Sequence, residues 1–326
     1  MRALFVLQVV VPLALLLWLA FAPARSRTGL TTQIAATGLA LIAMALTGLW
    51  LVPPWWWPRL CLVLFAIAAV WAWRRRRGPG VPRAGRSQWF LTAVFLSCGM
   101  IAAWVSFAAI RGRQPPPGAH ADLEFPLRGG TFLVVNGGSD VRVNAHLKTR
   151  DSTQQRFARW RGNGYAIDVV AIDRVGRRAR GLLPADNRAY RIFGWPVLAP
   201  CSGRVILAVD GRRDQPPPQV DDRDHLAGNH VLLECGDLHV VLAHFRRASV
   251  RVREGEQIRA GQVLGNVGNS GVSNEPHLHL HAQRPGTANA PMAGEPVPAL
   301  FNGRFLVRGD RLTVDQRGDA HPGRLP

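Results

Sequence analysis

The first third of the chain carries no charged side chain except arginine, and this constrains its fold more than any other feature. Residues 1–110 contain no Asp, Glu, Lys or His but nine of the eleven Trp, whereas all 21 acidic residues and all 10 His follow Ile110. Such a segment is typical of membrane-spanning helices. The remainder has the size and composition of one water-soluble domain.

Four apolar runs divide region 1–110, and each has close to the ~20 residues that a helix needs to cross a bilayer. They lie at residues 3–22, 29–52, 56–73 and 88–110. Short loops rich in arginine stay in the cytoplasm, and the third loop, with Arg74–Arg77, Arg83 and Arg86, is the most basic. The sequence therefore predicts four transmembrane helices in the lipid bilayer, with both ends of this region outside and a multi-pass location in the cytoplasmic membrane.

A cleaved signal peptide is the competing interpretation of the first run, because AFA at residues 20–22 resembles a small-residue cleavage site. In that case three helices would remain and the arginine-rich loop would face outward. That orientation opposes the charge rule, so the four-helix interpretation is the one carried forward.

The rest of the chain shows the pattern of an antiparallel β domain. After a Pro-rich stretch at residues 111–118, which predicts a semi-rigid spacer, short runs such as TFLVV, HVLLE and HVVLAHF alternate with Gly, Asp and Pro. The Pro- and Asp-rich residues 210–228 predict a loop. We expect an all-β domain over 119–307 and a frayed tail over 308–326.

One run in this domain, His277-Leu278-His279-Leu280-His281, alternates imidazole and leucine. In an extended strand, successive side chains point to opposite faces, so three imidazoles share one face and two leucines the other. Neutral imidazole is a common metal ligand and proton carrier. The run therefore predicts a strand with one core face and one metal-binding or proton-transfer face.

The surrounding residues resemble a known family. GNSGVSNEPHLHLH (268–281) is similar to the GxTGxSTGPHLHFE signature of the LytM/lysostaphin-type zinc metallopeptidases, which cut peptide cross-links in bacterial cell walls. FGWPVLAPCSGRV (193–205) and VREGEQIRAGQVLG (252–265) also resemble segments of that family in the same order. The likeness covers residues from about 160 to 283, and it implies the duplicated hybrid motif fold of that family.

The resemblance assigns roles residue by residue. Asp168 and His279 match the family's Asp and C-terminal His ligands of Zn²⁺, while His244 and His277 match the two catalytic histidines that activate water and stabilise the oxyanion. His281 stands where the family has an acidic residue, and either a supporting or an exposed position fits it. Glu275 stands where the family has Gly, and its role is left open.

The first metal ligand departs from the family pattern, because Gly164 occupies the position four residues before Asp168 where a His is expected. Either another histidine completes the site, or the domain has lost zinc and works by binding. Catalytic zinc sites commonly have three protein ligands. His146, which follows a strand-like run and precedes Asp168, is the candidate we select, so the predicted ligands are His146, Asp168 and His279.

Two functions follow from these observations. The first is a membrane-anchored zinc endopeptidase that acts on peptidoglycan peptides outside the bacterial inner membrane. The alternative is an inactive domain of the same fold that binds cell wall or regulates a partner wall hydrolase, for example at the membrane.

Other partners are disfavoured by the same sequence. A lipoyl or biotinyl carrier domain needs a lysine on the hairpin at 252–265, and Lys148 is the only lysine. The soluble part has a net charge of +9, which either favours an anionic partner or reflects abundant arginine. Nucleic acid is not the expected partner, because no base-reading motif is present.

Cys201 and Cys235 lie on predicted strands that the family likeness places in one sheet. An oxidising exterior would then allow a disulfide between them. Separate packing as small apolar residues is the alternative.

The membrane topology can be tested with reporter fusions. We expect a reporter after Arg77 to be active only on the cytoplasmic side and one after Gly118 only on the outer side, because the arginines of the third loop oppose translocation. Outer-side activity of the Arg77 fusion would overturn the topology and, with it, the outward placement of the domain.

Overall fold

The computed structural model describes residues 5–76, 85–220, 225–317 and 320–322. It divides into two compact units between Arg111 and Gly112. The first unit is helical and the second is mainly β. Arg77 and Arg83 of the predicted basic loop lie outside the described residues, as does most of the tail beyond residue 317.

The described part of the helical unit contains four apolar helices. They are α1 (Val11–Phe21), continued from a π-helical turn at Val6–Val10, α2 (Arg27–Thr47), α3 (Trp57–Arg75) and α4 (Arg86–Arg111). Among the described residues, three helices are long and apolar enough to cross a membrane, namely Arg27–Thr47, Trp57–Arg75 and Gln88–Arg111, whereas the helix over Val6–Phe21 is shorter.

Local sequence explains where these helices begin and end. The Ser26 side chain accepts a hydrogen bond from the Gly29 amide at 3.1 Å and so caps the start of α2. Pro58 stands in the first turn of α3, where its missing N–H costs nothing. The run predicted at 29–52 ends as a helix at Thr47, because Gly48 takes an extended conformation and begins the turn that leads to α3.

The second unit contains fifteen described strands. They are β1 (Ala121–Leu123), β2 (Gly130–Asn136), β3 (Ile167–Ile172), β4 (Pro196–Leu198), β5 (Gly203–Val209), β6 (Asn229–Cys235), β7 (Leu238–Phe245), β8 (Gln257–Ile258), β9 (Val263–Asn266), β10 (Leu278–Gln283), β11 (Pro296–Val297), β12 (Ala299–Phe301), β13 (Arg304–Phe305), β14 (Arg311–Val314) and β15 (Ala320–Pro322). Three 3-10 helices, at Ala145–Arg150, Gln155–Tyr165 and Asn187–Ala189, join them.

One large sheet dominates this unit, with the strand order β15-β14-β2-β3-β10-β7-β6-β5-β8 and β11 beside β10. Its pairings are antiparallel, as the pattern of short strands and turns predicts. Two small sheets, β1-β12-β13 and β4-β9, complete the unit, and the β1–β12 pair is parallel.

The two faces of β10 differ in the way its alternation predicts. Leu278 and Leu280 are 1% exposed and belong to the main hydrophobic core, together with Val169 of β3 and Leu242 of β7. Burying a leucine contributes about 1.5–3 kcal/mol relative to leaving it exposed. The opposite face carries His279 and His281, so the core fixes the direction in which these imidazoles point.

One expected boundary is corrected by the structure, and the start of the expected spacer is found in contact with the β unit. Residues 311–314, expected in a frayed tail, form β14 on the edge of β2, because Leu312 and Val314 alternate into the core. The start of the expected spacer is bonded to the β unit: the Gly112 carbonyl accepts from the Ser139 amide at 2.8 Å, and Arg113 pairs with Asp310.

Cys201 and Cys235 form a disulfide, with their Cα atoms 6.0 Å apart. Cys235 ends β6, and Cys201 lies in the turn before β5, which pairs with β6 in the large sheet. Cys61 and Cys98 are free thiols of the helical unit.

We expect thiol labelling of the denatured, unreduced chain to modify two cysteines, and labelling after reduction to modify four. Because the bridge closes a separation of 34 residues, replacing Cys235 by Ala should lower the free energy of unfolding of the β unit by about 2–4 kcal/mol, measured by denaturant titration. Cys98→Ala is the matched control and should leave this value unchanged. Four reactive thiols before reduction would exclude the bridge.

Candidate metal centre

The centre of the site is a cross-strand pair between β3 and β10. The antiparallel register places Asp168 directly opposite His279. Both side chains are buried, and His279 Nδ1 lies 2.9 Å from Asp168 Oδ1. The leucines of β10 point to the opposite face of the sheet. The Asp168–His279 pair therefore lies on the same face as the other imidazoles.

His146 reaches the same carboxylate from the 3-10 helix Ala145–Arg150. Its Nε2 lies 2.9 Å from Asp168 Oδ2. Buried Asn144 caps this helix, since its side-chain oxygen accepts from the His146 amide at 3.1 Å and its Nδ2 donates to the Ala166 carbonyl at 3.0 Å. The cap thus ties the helix to the residue next to β3, and this tie aims His146 at Asp168.

Gly164 lies before β3 at the position where the resembling family has a histidine, and side chains from other parts of the chain occupy the space beside it. A Cβ atom on Gly164 would lie 2.7 Å from Arg150 Cγ and 2.9 Å from Pro296 Cγ. Atoms do not approach so closely, so a side chain at this position would require Arg150 or Pro296 to move. The aliphatic part of Arg150, four residues after His146, occupies the space instead.

His146, Asp168 and His279 together have the donor set of a metal site. Among the described residues, each of the three offers a ligand atom, and these atoms lie within 4.8 Å of one another. Tetrahedral Zn²⁺ with bonds of about 2.0–2.2 Å needs ligand atoms about 3.4 Å apart. The residues present therefore fit zinc with only small side-chain adjustments.

His244 and His277 stand beside this group, each held by a backbone carbonyl. His244 Nδ1–H donates to the Ser270 carbonyl at 2.8 Å, and His277 Nδ1–H donates to the Glu275 carbonyl at 2.9 Å. Carbonyls accept only, so the neutral form of each ring has its proton on Nδ1 and its lone pair on Nε2. The two ring centroids are 4.6 Å apart, and His277 Nε2 lies 3.6 Å from Asp168 Oδ1.

The backbone at His244 is unusual and is held in place from both sides. Its φ is +64°, a left-handed conformation that is uncommon outside glycine. Its amide donates to the Ala227 carbonyl and its carbonyl accepts from the Gly268 amide. A Cβ on neighbouring Gly228 would lie 2.4 Å from the Ser270 carbonyl carbon, so a glycine there lets the Ser270 segment come close enough to hold the His244 ring.

The environment sets the protonation states of these groups. Burial raises the pKa of Asp168, but the charges of His146 and His277 and the hydrogen bonds from His146 and His279 outweigh it and hold this pKa well below its usual range. Burial, reinforced by the charges of His277 and His279, lowers the pKa of His244 well below its usual value. Burial also lowers the pKa of His279. At neutral pH Asp168 is thus a carboxylate and His244 and His279 are neutral imidazoles, the forms that ligate metals and accept protons.

Sequence reasoning missed two residues behind Asp168. Asn136 Nδ2 donates to Asp168 Oδ2 at 2.8 Å, and Asn136 Oδ1 accepts from Arg308 Nη2 at 2.6 Å. Arg308 also donates to the carbonyls of Val135 and Arg142, and burial lowers its pKa to about 10. The only sequence signal was that Arg308 follows an apolar pair, Leu306 and Val307, at the start of the expected tail.

The two residues with open roles are placed by the structure. His281 is 2% exposed and its Nδ1 lies 3.1 Å from His279 Nε2, so the exposed position allowed by the sequence is wrong. Burial lowers the pKa of His281 well below its usual value. Glu275 forms a buried ion pair with Arg178, whose Nε lies 2.7 Å from Glu275 Oε1.

Part of the β unit is similar in sequence to known peptidases. Residues 189–291 match the sequence model of Peptidase family M23. The matched segment includes His244, His277 and His279, but it begins after His146 and Asp168.

Among curated proteins, the peptidoglycan DD-endopeptidase ShyA of Vibrio cholerae is 26% identical over 196 residues, which cover 56% of this chain and 42% of ShyA. The chain thus spans about two fifths of that relative. Among solved structures, the catalytic domain of lysostaphin from Staphylococcus simulans is 22% identical, with 40% of this chain and 74% of that chain covered and a TM-score of 0.25. A zinc-containing peptidase from Vibrio cholerae is 20% identical, with 36% and 46% covered and a TM-score of 0.22.

We expect Asn136→Ala to weaken Zn²⁺ binding by about 10–100-fold, because the amide orients the Asp168 carboxylate from behind. Competition with a coloured chelator measures the affinity. Asn187→Ala is a matched control, since the Asn187 amide bonds only the Gln215 carbonyl among the contacts described, and it should bind zinc as the unmodified chain does. Equal affinities for all three proteins would show that Asn136 does not support the site.

Proposed function

We propose that this chain, whose β unit carries a Peptidase family M23 domain, is a membrane-anchored zinc endopeptidase that hydrolyses the cross-linking peptides of peptidoglycan outside the cytoplasmic membrane. The observation that carries the proposal is the convergence of five side chains at one point of the sheet. Three of them are arranged to hold a metal, and two are held so that a free Nε2 remains.

The metal set is His146, Asp168 and His279. Asp168 supplies the single negative charge and the two histidines supply neutral nitrogen. His279 would ligate through Nδ1, which faces Asp168, and its proton then lies on Nε2 and is donated to His281 Nδ1. Such a partner fixes both the tautomer and the orientation of a ligating ring.

Zinc bound in such a site acts as a Lewis acid and lowers the pKa of water. The proton released from the attacking water needs an acceptor, and a neutral imidazole with a free Nε2 is suited to that task. His277 and His244 both have this form. After accepting the proton, an imidazolium can hydrogen bond to the oxyanion of the tetrahedral intermediate or protonate the leaving amine.

The environment of His244 favours a proton-transfer role. Its ring is buried, so its protonated form is disfavoured until a negative charge develops nearby. Its left-handed backbone conformation costs free energy that surrounding hydrogen bonds offset. Such strain is a recurrent property of residues in functional sites, and here it directs the ring toward His277 and His279.

The substrate class follows from two lines of support. The M23 family match and the peptidoglycan endopeptidase relative favour the cell wall as substrate, although the chain spans only part of that relative. The disulfide between Cys201 and Cys235 favours an oxidising compartment, where the wall is located. An excess of arginine in the β unit also suits a polymer that carries carboxylates.

We further propose four membrane spans in region 1–110, including the shorter helix over Val6–Phe21, with a metallopeptidase domain that begins near residue 119. The basic loop is cytoplasmic in this arrangement. The domain then lies on the outer side, in the periplasm or its equivalent. The alternative of an inactive wall-binding or regulatory domain rests on Gly164, and the position of His146 beside Asp168 favours the enzyme over that alternative.

The assignment predicts different outcomes for ligands and for proton carriers. In the full chain purified in detergent, His146→Ala and His279→Ala should lower both zinc content and hydrolysis of cross-linked wall peptides. His244→Ala should keep one zinc per chain and lose at least about 100-fold in rate, because a proton acceptor contributes about 10²–10⁴-fold. Metal analysis and chromatography of the peptide products provide the two readouts.

His120→Ala is the matched control, since the side-chain contact described for His120 is from its Nε2 to the Pro116 carbonyl, and both readouts should remain unchanged. Full zinc content and activity in His146→Ala would disprove the ligand assignment. An unmodified chain that binds no zinc and cuts no wall peptide would favour the regulatory function instead.

A further inference from the structure

A buried ion pair joins the loop that leaves β3 to the turn that leads into β10. Arg178 Nε and Nη2 lie 2.7 Å and 2.8 Å from the two carboxylate oxygens of Glu275. The side chains are 3% and 11% exposed. The Tyr190 ring packs against the guanidinium, 5.6 Å from its carbon, so the arginine is held on more than one side.

Stability alone is a weak explanation for this pair. Moving two charges out of water has a large desolvation cost, and apolar residues of similar volume often replace such pairs without loss of stability. What the pair does supply is geometry, because a forked arginine–carboxylate contact allows only a narrow range of relative positions. The backbone of Glu275 is therefore held to the loop after β3.

The backbone of Glu275 in turn holds a predicted catalytic ring. Its carbonyl accepts the Nδ1–H of His277 at 2.9 Å and also lies 2.9 Å from Ser273 Oγ. Pro276 follows immediately and keeps residue 275 away from the helical conformation. The direction of the Glu275 carbonyl is thus restricted by Pro276, which follows it, and by the ion pair between the Glu275 side chain and Arg178.

The hydrogen bond to this carbonyl determines where the His277 proton lies. With the proton on Nδ1, Nε2 keeps its lone pair and faces Asp168 Oδ1 at 3.6 Å. If the carbonyl moved, Nδ1 would keep only Ser273 Oγ, at 3.1 Å. The single proton of this hydroxyl also has Asn269 Oδ1 as an acceptor, at 2.6 Å, but a hydroxyl can rotate to give its proton to either partner. The other tautomer, with the proton on Nε2, would then be allowed.

We infer that Arg178 and Glu275 are positioning residues for His277, and that their ion pair keeps the His277 proton on Nδ1 and its Nε2 available to the reaction. The inference rests on the proposed function for its kinetic consequence, but not for the tautomer itself. It also gives the Glu275 side chain, at a position where the resembling family has glycine, a specific task in this chain.

The test compares Glu275→Gln, which keeps the size of the side chain, with the double variant Arg178→Met/Glu275→Met, which removes the pair without leaving one charge buried. The full chain is used in detergent, loaded with zinc and labelled with ¹⁵N-histidine. Four quantities are measured: zinc content, thermal unfolding, kcat and KM on wall peptides, and the ¹⁵N shifts of His277, assigned by difference from His277→Gln. Glu234→Gln is the matched control, because its pair with Arg204 is about half exposed.

We expect both test variants to bind one zinc and to fold, to show His277 in two tautomers, and to lose about 10–100-fold in kcat with KM changed less than about twofold, as for a misplaced catalytic group. The control should match the unmodified chain. A single Nδ1–H tautomer in the folded double variant would overturn the inference, and so would a loss of kcat that only follows the loss of zinc or of folded protein. If the unmodified chain is not a peptidase, the proposed function fails, whereas mixed tautomers in the variants would still support the positioning role.

Discussion

The pairing of Asp168 with His279 across β3 and β10 is the contact on which the rest of the site depends. Burying a carboxylate costs free energy unless several hydrogen-bond donors surround it. The Asp168 carboxylate accepts hydrogen bonds from His146, His279 and Asn136. The position of the pair is fixed from the opposite face, where the leucines of β10 enter the core. A shift of one residue in this register would place the imidazoles in the core and the leucines at the site, so the core and the site specify the same register.

The part of the site that lies on β10 could be predicted from sequence because it is local. Two-residue alternation in the run 277–281 defines both faces of one strand without knowledge of any other element. The tail was misjudged for the converse reason: β14 has only four residues, and such a short strand becomes recognisable only when β2 is present to pair with it. The apolar helices were recognisable from composition, while their ends depended on individual Gly and Pro residues.

The supporting residues could not be predicted, because they are distant in sequence and have no period. Asn136 faces Asp168 at a point where the β2–β3 register is irregular, and no alternation rule places it there. Arg178 and Glu275 are separated by 97 residues and meet only because β3 and β10 are neighbours. His146 could be selected by elimination, but its direction depends on a cap by Asn144 and on the space taken by Arg150. In each case tertiary structure brings together groups whose local sequence contains no sign of the contact.

The location of His146 on a short 3-10 helix has a consequence for how the protein responds to metal supply. The helix Ala145–Arg150 has no buried residue, so little apolar burial opposes its local opening. When a metal ion joins His146 to two residues of the rigid sheet, part of the binding free energy orders this helix, and the apparent affinity is reduced by that amount. Amide exchange in residues 145–150 should then be fast without metal and slow with it. On the proposed function, metal occupancy would thereby set how much of this helix is in the arrangement that holds His146 beside Asp168.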